Sequence, residues 1–347
     1  MSGTRRGAYV FLFVCLAGLE GCYYVQAAQG QFDLMRRRRP IEEVIADASS
    51  PELLRQRLLM VSEARHFAVD ELLLPDNDSY RSYADLERDY VVWNVVAAPE
   101  FSLDPKLWCY PIAGCVAYRG YFSEARAGKL AKNLAAQGFD VLVGGVTAYS
   151  TLGRFDDPVL NTMMQWNDTD LVSTLFHELA HQKLYIKDDT GFNESFASAV
   201  AEVGLRRWLS LRGEPEKLEE HNERRADRTA LLQLIDTARG QLEELYASGL
   251  DEETMRARKQ QIFHALARDL DRYETKLNGW RDGSLNNARI ALLGLYEGRV
   301  DAFKVLLNDC ADDLACFYAR AGDLAEMESA EREAELGRLA ARRDPGG

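Results

Sequence analysis

The sequence predicts a mostly helical α+β protein, and three observations carry that prediction. β-branched and aromatic residues concentrate between Tyr90 and Gly145, in runs that read as strands. On either side of that block, apolar residues recur at three- and four-residue spacing, as in helices buried along one face. Between the sheet block and a long helical C-terminal part lies Thr174-Leu-Phe-His177-Glu178-Leu-Ala-His181-Gln182, followed by Phe192-Asn-Glu194-Ser-Phe-Ala197. The expected architecture is a small β-sheet packed beside the histidine helices, with a helical C-terminal lobe. The expected boundaries are a signal peptide at 1–21, an N-terminal helical segment at 22–85, a core holding the sheet and the histidine helices at 86–212, and the lobe at 213–347.

Composition is that of a globular chain. Of 347 residues, 47% are hydrophobic and 28% charged, enough apolar surface for one large core or two ordinary ones. The net charge of −13 argues against a nucleic-acid partner, because no basic domain exists to neutralise phosphates. Arg5 and Arg6 precede the apolar run Ala8–Leu19. A membrane span needs about 20 such residues, so this run reads as the centre of a secretory signal. It leads into Leu19-Glu20-Gly21-Cys22, which resembles a bacterial lipoprotein box, with Glu20 where a small or apolar residue is usual. That resemblance implies lipidation of Cys22 and a membrane-anchored lipoprotein of the bacterial cell envelope, facing the periplasm. Export also makes sense of the cysteines. Setting aside Cys15 and Cys22, four remain in two close pairs, which suggests the disulfides Cys109–Cys115 and Cys310–Cys316, with four buried thiols as the alternative.

Taken in order, residues from Tyr23 to Met35 can form a short helix, and Pro40 opens a helical region running to Leu73 with a break near Ser49-Ser-Pro51. Tyr90–Ala98, Ile112–Phe122 and Phe139–Gly145 are the expected strands, with a helix from Ser123 to Gly138 between the last two. The polar loop Ala148–Asp157 precedes the histidine helices, a usual place for substrate subsites. Asp168 or Thr169 is the expected cap of the first of these helices, and Asn193-Glu194 the start of the second. Charges between Trp208 and Arg228 read as solvated helix surface. Leu231–Leu245 and Ile262–Leu277 form an expected αα-hairpin of two helices of about six turns, joined at Ser248-Gly-Leu-Asp251. Asn286 opens a further helix, and 332–343 reads as a polar tail.

Two histidines four apart on a helix project from one face and can reach one metal ion. An open zinc site takes three protein ligands, so His177 and His181 need one carboxylate more, and Glu194 lies thirteen residues on. Glu202, eight residues further along the same helix, is the substitute. Glu178 can lean over a water as general base instead of binding the metal. Asn193 is placed to orient a ligand. Tyr118, Tyr121, Tyr149 and Tyr296 are candidates for stabilising an oxyanion, with nothing to choose among them. His66, His221 and His264 read as surface or satisfied residues.

This pattern resembles the gluzincin metallopeptidases, whose third ligand is a Glu on the helix after the His pair. The words His177-Glu-Leu-Ala-His-Gln182 and Asn193-Glu-Ser-Phe-Ala197 look like those of the aminopeptidases among them. Over most of its length the chain resembles a family of bacterial lipoproteins described as predicted zinc aminopeptidases. The resemblance rests on Cys22, Gln29-Gly-Gln31, Arg38-Arg-Pro-Ile41, Cys115-Val-Ala-Tyr-Arg-Gly-Tyr-Phe122, Ala148-Tyr-Ser-Thr-Leu-Gly153 and Phe192–Ala197. It implies a gluzincin-like core, one zinc ion held by His177, His181 and Glu194, Glu178 as general base, and a peptide substrate. The gap to Glu194 is shorter than in the gluzincin aminopeptidases, and their Gly-x-Met-Glu-Asn motif is absent. The alternative is a non-catalytic envelope lipoprotein using the same fold for binding, against which the intact Glu178 counts.

Overall fold

The computed structural model describes residues 23–110, 114–148, 150–151, 153, 155–271, 285–293 and 299–342. The expected signal at 1–21, Cys22, Tyr149 and Tyr296 lie outside the described residues. Among the described residues no helix is long and apolar enough to cross a membrane.

The chain opens with helix α1 (23–36). Strand β1 (Arg38–Pro40) follows, then α2 (Ile41–Ala46) and α3 (Glu52–Asp70), broken at the expected Ser-Ser-Pro. β2 (Ser82–Ala84) pairs antiparallel with β1 and parallel with β8 (Val159–Leu160), making a three-stranded sheet that sequence periodicity does not reveal. Such strands are too short for an alternation to register.

The expected sheet is built on β3 (Val92–Pro99), which lies between β6 (Arg119–Tyr121) and β7 (Phe139–Val146), antiparallel to both. Alternate side chains of β3 leave by opposite faces. Val95 and Ala97 pack with Ala127 and Leu134 of α4 (Glu124–Ala135), while Val96 and Ala98 pack with Ala288 of α9 (Asn287–Leu293). Burial on both faces is why the strand reads as a continuous apolar run. The single strand expected at Ile112–Phe122 is instead two pieces, β5 (Gly114–Val116) and β6. β5 turns back onto β4 (Trp108–Tyr110), and the disulfide Cys109–Cys115 joins directly opposed residues of that hairpin.

The principal core joins α3 to the two histidine-region helices, α5 (Asp168–Lys183) and α6 (Thr190–Arg212), with a short 3₁₀ turn (Asn161–Gln165) leading into α5. Three C-terminal helices share this core: α10 (Val300–Asp309), α11 (Leu314–Glu326) and α12 (Ser329–Ala341). Phe192 and Phe196 of α6 meet Phe303 of α10 edge-on, and Phe196 stacks on Phe317 of α11 with ring centroids 5.8 Å apart. The disulfide Cys310–Cys316 spans the turn between α10 and α11. The expected polar tail at 332–343 is largely the helix α12, which buries Arg332, Leu336 and Leu339. Its polar composition hides a stripe only two leucines wide.

α7 (Pro215–Ala247) and α8 (Glu252–Leu270) form the expected αα-hairpin, with Asp251 capping α8 through Thr254 N at 2.9 Å. α7 has 33 residues, about nine turns and not six. Leu231, Ile235, Ala238 and Leu242 meet Phe263 and Leu266 in a second core completed by Ile290 of α9. Asn287 fixes this hairpin to the sheet end, donating to the carbonyls of Pro99, Glu100 and Ser102 and accepting from Tyr246 Oη at 2.7 Å.

Candidate metal centre

Asn167, and not Asp168 or Thr169, caps α5, its Oδ1 accepting from Asp170 N at 2.9 Å. Leu171, Val172, Leu175, Phe176, Leu179 and Ala180 bury the core face of α5 and so fix its rotation. Close approach of α6 depends on Gly204: a β-carbon there would lie 2.6 Å from Leu72 and 2.8 Å from Phe176. α6 starts at Thr190, earlier than Asn193, because Asp189 accepts from Phe192 N at 3.0 Å. Asn193 is buried inside the first turn and clasps the connecting loop by both ends of its amide. It accepts from Ile186 N at 2.8 Å and donates to Ile186 O at 2.7 Å. It therefore sets how α5 hands over to α6, and does not itself bond to either histidine.

His177, His181 and Glu194 come together as a group able to hold a metal ion. The two histidine Nε2 atoms are 3.1 Å apart. Glu194 Oε2 lies 3.2 Å from His177 Nε2, and Glu194 Oε1 lies 3.6 Å from His181 Nε2. Ligand atoms about 2.0–2.1 Å from a tetrahedral zinc are separated by about 3.3 Å, so the spacing of the two imidazoles and the Glu194 carboxylate suits three ligands of one ion. Their chemistry fits too: two imidazoles and a carboxylate suit zinc. Burial, with the nearby His177, drives the His181 pKa down to about 4, against the opposing pull of Glu194. His181 is thus neutral at physiological pH and presents a lone pair. Burial alone would raise the Glu194 carboxyl, but the hydrogen bond and charge of His177, with His181, outweigh it and hold Glu194 ionised.

Glu178 follows His177 one step round α5, and its carboxyl is close enough to His177 and Glu194 to feel both charges. Burial pushes its carboxyl up, and the negative charges of Glu194 and Asp157 add to that, against the stabilising effects of His177 and Ser150. Ser150 is within hydrogen-bonding reach of Glu178 and lies 3.4 Å from Asp157 Oδ2. Asp157 is 1% exposed and organises the loop before it, accepting from Thr151 N at 2.8 Å and from Thr151 Oγ1 at 2.9 Å. Tyr80 stands near both the Glu178 and the Asp157 carboxyls. Its hydroxyl is raised well above its ordinary value by burial and by the Glu178 and Asp157 carboxyls, and its N–H donates to Asp157 O at 2.6 Å.

One comparison bears directly on this constellation. Residues 22–336 match the profile of the protein family described as "Putative aminopeptidase". The chain belongs to that family. The match covers every residue of the metal centre as well as the sheet, both helical cores and most of α12. Searches of curated proteins and of solved structures returned no match.

In this member of the family the other sequence candidates are dispersed. Glu202 is no substitute ligand: its carboxylate is taken by Arg225 at 2.6 Å and Lys304 at 2.9 Å. Those cations outweigh burial and hold its carboxyl below the usual carboxylate range. A depressed pKa stabilises the fold fully above the unfolded value of about 4.3 and loses that contribution as pH falls through the folded value. The metal-free protein should therefore melt above Glu202→Gln at about pH 6, and the gap should close as pH drops below about 4, as followed by thermal denaturation. His221 Nδ1 stands 3.4 Å from Asp170 Oδ1, and His66 Nδ1 donates to Ser62 O at 2.8 Å. Tyr121 belongs to an aromatic group with Tyr23 and Arg119. Tyr118 is nearer, its hydroxyl raised by burial and then by Tyr23, Tyr185 and Glu194. Tyr185 was not foreseen; its ring stands edge-on to His181 with centroids 6.4 Å apart.

Arg332 was also unforeseen. It is 7% exposed and grips the α6 cap, with Nη2 2.8 Å and Nε 2.9 Å from Asp189 Oδ2, while Nη1 donates to Met327 O. α12 thus holds the start of the helix that carries Glu194. Arg332→Met should cost about 3 kcal/mol, because Asp189 is left without its partner. The same change should also weaken metal binding, by loosening the start of the helix that presents Glu194. Chemical denaturation and chelator competition measure the two.

Proposed function

We propose that this chain is a single-zinc peptidase, probing peptide N-termini as an aminopeptidase and tethered at Cys22 to the bacterial cell envelope on its periplasmic side. The observation that carries the reading is the Nε2, Nε2 and Oε triangle of His177, His181 and Glu194 with the Glu178 carboxyl beside it. Zinc held by these three residues would polarise a peptide carbonyl and bring water to reactivity near neutral pH. Glu178, whose buried carboxyl has a raised affinity for protons, takes the proton of the attacking water and passes it to the departing amine. Ser150, braced by Asp157, keeps the Glu178 side chain directed at that water. Tyr118 and Tyr185 stand on the Glu194 and His181 side, where charge develops on the carbonyl oxygen. The gluzincin-like order of ligands supports peptide hydrolysis, and the family membership supports the exopeptidase direction.

The test uses the full chain purified from bacterial membranes. One zinc per chain is expected, with hydrolysis of peptides bearing a free N-terminus, loss of activity on chelation, and resistance of N-acetylated peptides. Zinc without cleavage of any peptide would leave a binding protein. Cleavage of blocked peptides at the same rate would remove the aminopeptidase assignment while keeping the peptidase. Metabolic labelling with palmitate, lost in Cys22→Ser, tests the tether.

A further inference from the structure

Helix α1 wears its apolar face outward. Gln26, Gly30 and Leu34 point into the protein: Gln26 Nε2 donates to Gly120 O at 3.4 Å, Phe122 N donates to Gln26 Oε1 at 3.3 Å, Gly30 lies against the Phe122 ring, and Leu34 joins the main core. On the opposite arc, at helical spacing, stand Tyr24, Val25, Ala28 and Phe32, followed by Arg36. Tyr24, Val25 and Phe32 are 43%, 55% and 70% exposed. Gln29 shares this arc, and none of the exposed positions before Arg36 carries a charge. A helix that faced water alone would have its polarity the other way round.

We propose that this face lies in the headgroup region of a lipid bilayer, so that α1 is an interfacial helix and not merely a spacer. Three observations on the chain select a lipid surface as occupant. The apolar run Ala8–Leu19 ends four residues before Tyr23, and extended chain spans at most about 3.5 Å per residue. Whether that run stays in the membrane or Cys22 carries lipid, α1 begins within about 14 Å of the bilayer. The residue types match an interfacial face: tyrosine, aliphatic and phenyl groups share the exposed arc, and arginine follows them. Charge agrees as well. Residues 23–39 contain four arginines and a single acid, Asp33, in a chain of net charge −13. These arginines, braced by Asp33, Asp47, Glu87 and Asp156, border the proposed lipid face, where anionic headgroups would meet them. This inference rests on the membrane tether proposed above and not on the peptidase reading.

A nitroxide on Ala28→Cys in the full chain, reconstituted in phosphatidylethanolamine–phosphatidylglycerol vesicles, tests it, with Arg258→Cys on α8 as control and the parent chain as labelling blank. The label at 28 should sit about 5–10 Å below the phosphates, colliding readily with oxygen and poorly with a water-borne nickel chelate. The label at 258 should behave in the opposite way. Val25→Ser with Phe32→Ser should move the label at 28 towards the control values, with melting temperature and zinc content unchanged. Equal nickel accessibility at 28 and 258 would overturn the proposal. Broadening from a second label at 28 would overturn it too, by showing that another copy of the chain covers the face.

Discussion

Glu178→Gln should leave zinc bound and lower turnover by about two to four orders of magnitude, the range that a positioned acid–base group contributes. The amide keeps the shape and can still meet Ser150, so the surroundings are preserved while the proton-accepting carboxylate is lost. A second readout separates chemistry from damage. Burial raises the folded pKa of Glu178; a carboxyl raised in this way takes up protons on folding, so the metal-free protein loses stability as pH climbs from the unfolded value of about 4.3 through the folded one. Glutamine carries no such penalty, so Glu178→Gln should melt no lower than the parent at neutral pH. Activity retained in the variant would exclude Glu178 as the base. Activity lost together with a lower melting temperature would point to a disturbed pocket.

Removing Glu194 should have the largest effect on the metal. Glu194→Ala leaves two imidazoles and an open third position, and the loss in zinc affinity should exceed the roughly 10–100-fold associated with a ligand's outer supports. Competition against a chromophoric chelator measures it. Glu202→Ala is the informative contrast, because Glu202 lies on the same helix but is engaged by Arg225 and Lys304. It should leave zinc affinity unchanged and lower the melting temperature, since two cations lose their partner. Equal losses of affinity in the two variants would mean that Glu194 acts through the integrity of α6 and not as a ligand.

His177, His181 and Glu194 were legible because they depend on helix geometry and one short reversal, both written locally. A four-residue spacing puts two side chains on one face wherever the helix forms, and thirteen residues suffice for the turn that returns Glu194 to them. What surrounds Glu178 was not legible. Tyr80 reaches it from a position with φ of +62°, and its backbone bonds to Asp157, seventy-seven residues away. Neither a left-handed tyrosine nor so distant a pairing leaves a periodic trace. The central strand β3 declared itself through its apolar run, whereas β1, β2 and β8 are two or three residues long and exist through their partners. Asn193 shows the remaining kind of error. A polar residue beside a ligand suggested a bond to that ligand, but its amide is spent on Ile186.

The grip of Arg332 on Asp189 bears on when the protein becomes competent. The two histidines, Glu178 and Glu194 all lie before residue 195, yet the helix presenting Glu194 is secured by a residue more than a hundred positions further along. A folding chain can assemble α5 and α6 before α12 docks, but it does so with Asp189 lacking its cation and the Phe192–Phe196 face uncovered. Closure of the centre thereby waits on the docking of the C-terminal helices, and a fragment ending before residue 332 should remain a poor metal binder however well its sheet has formed.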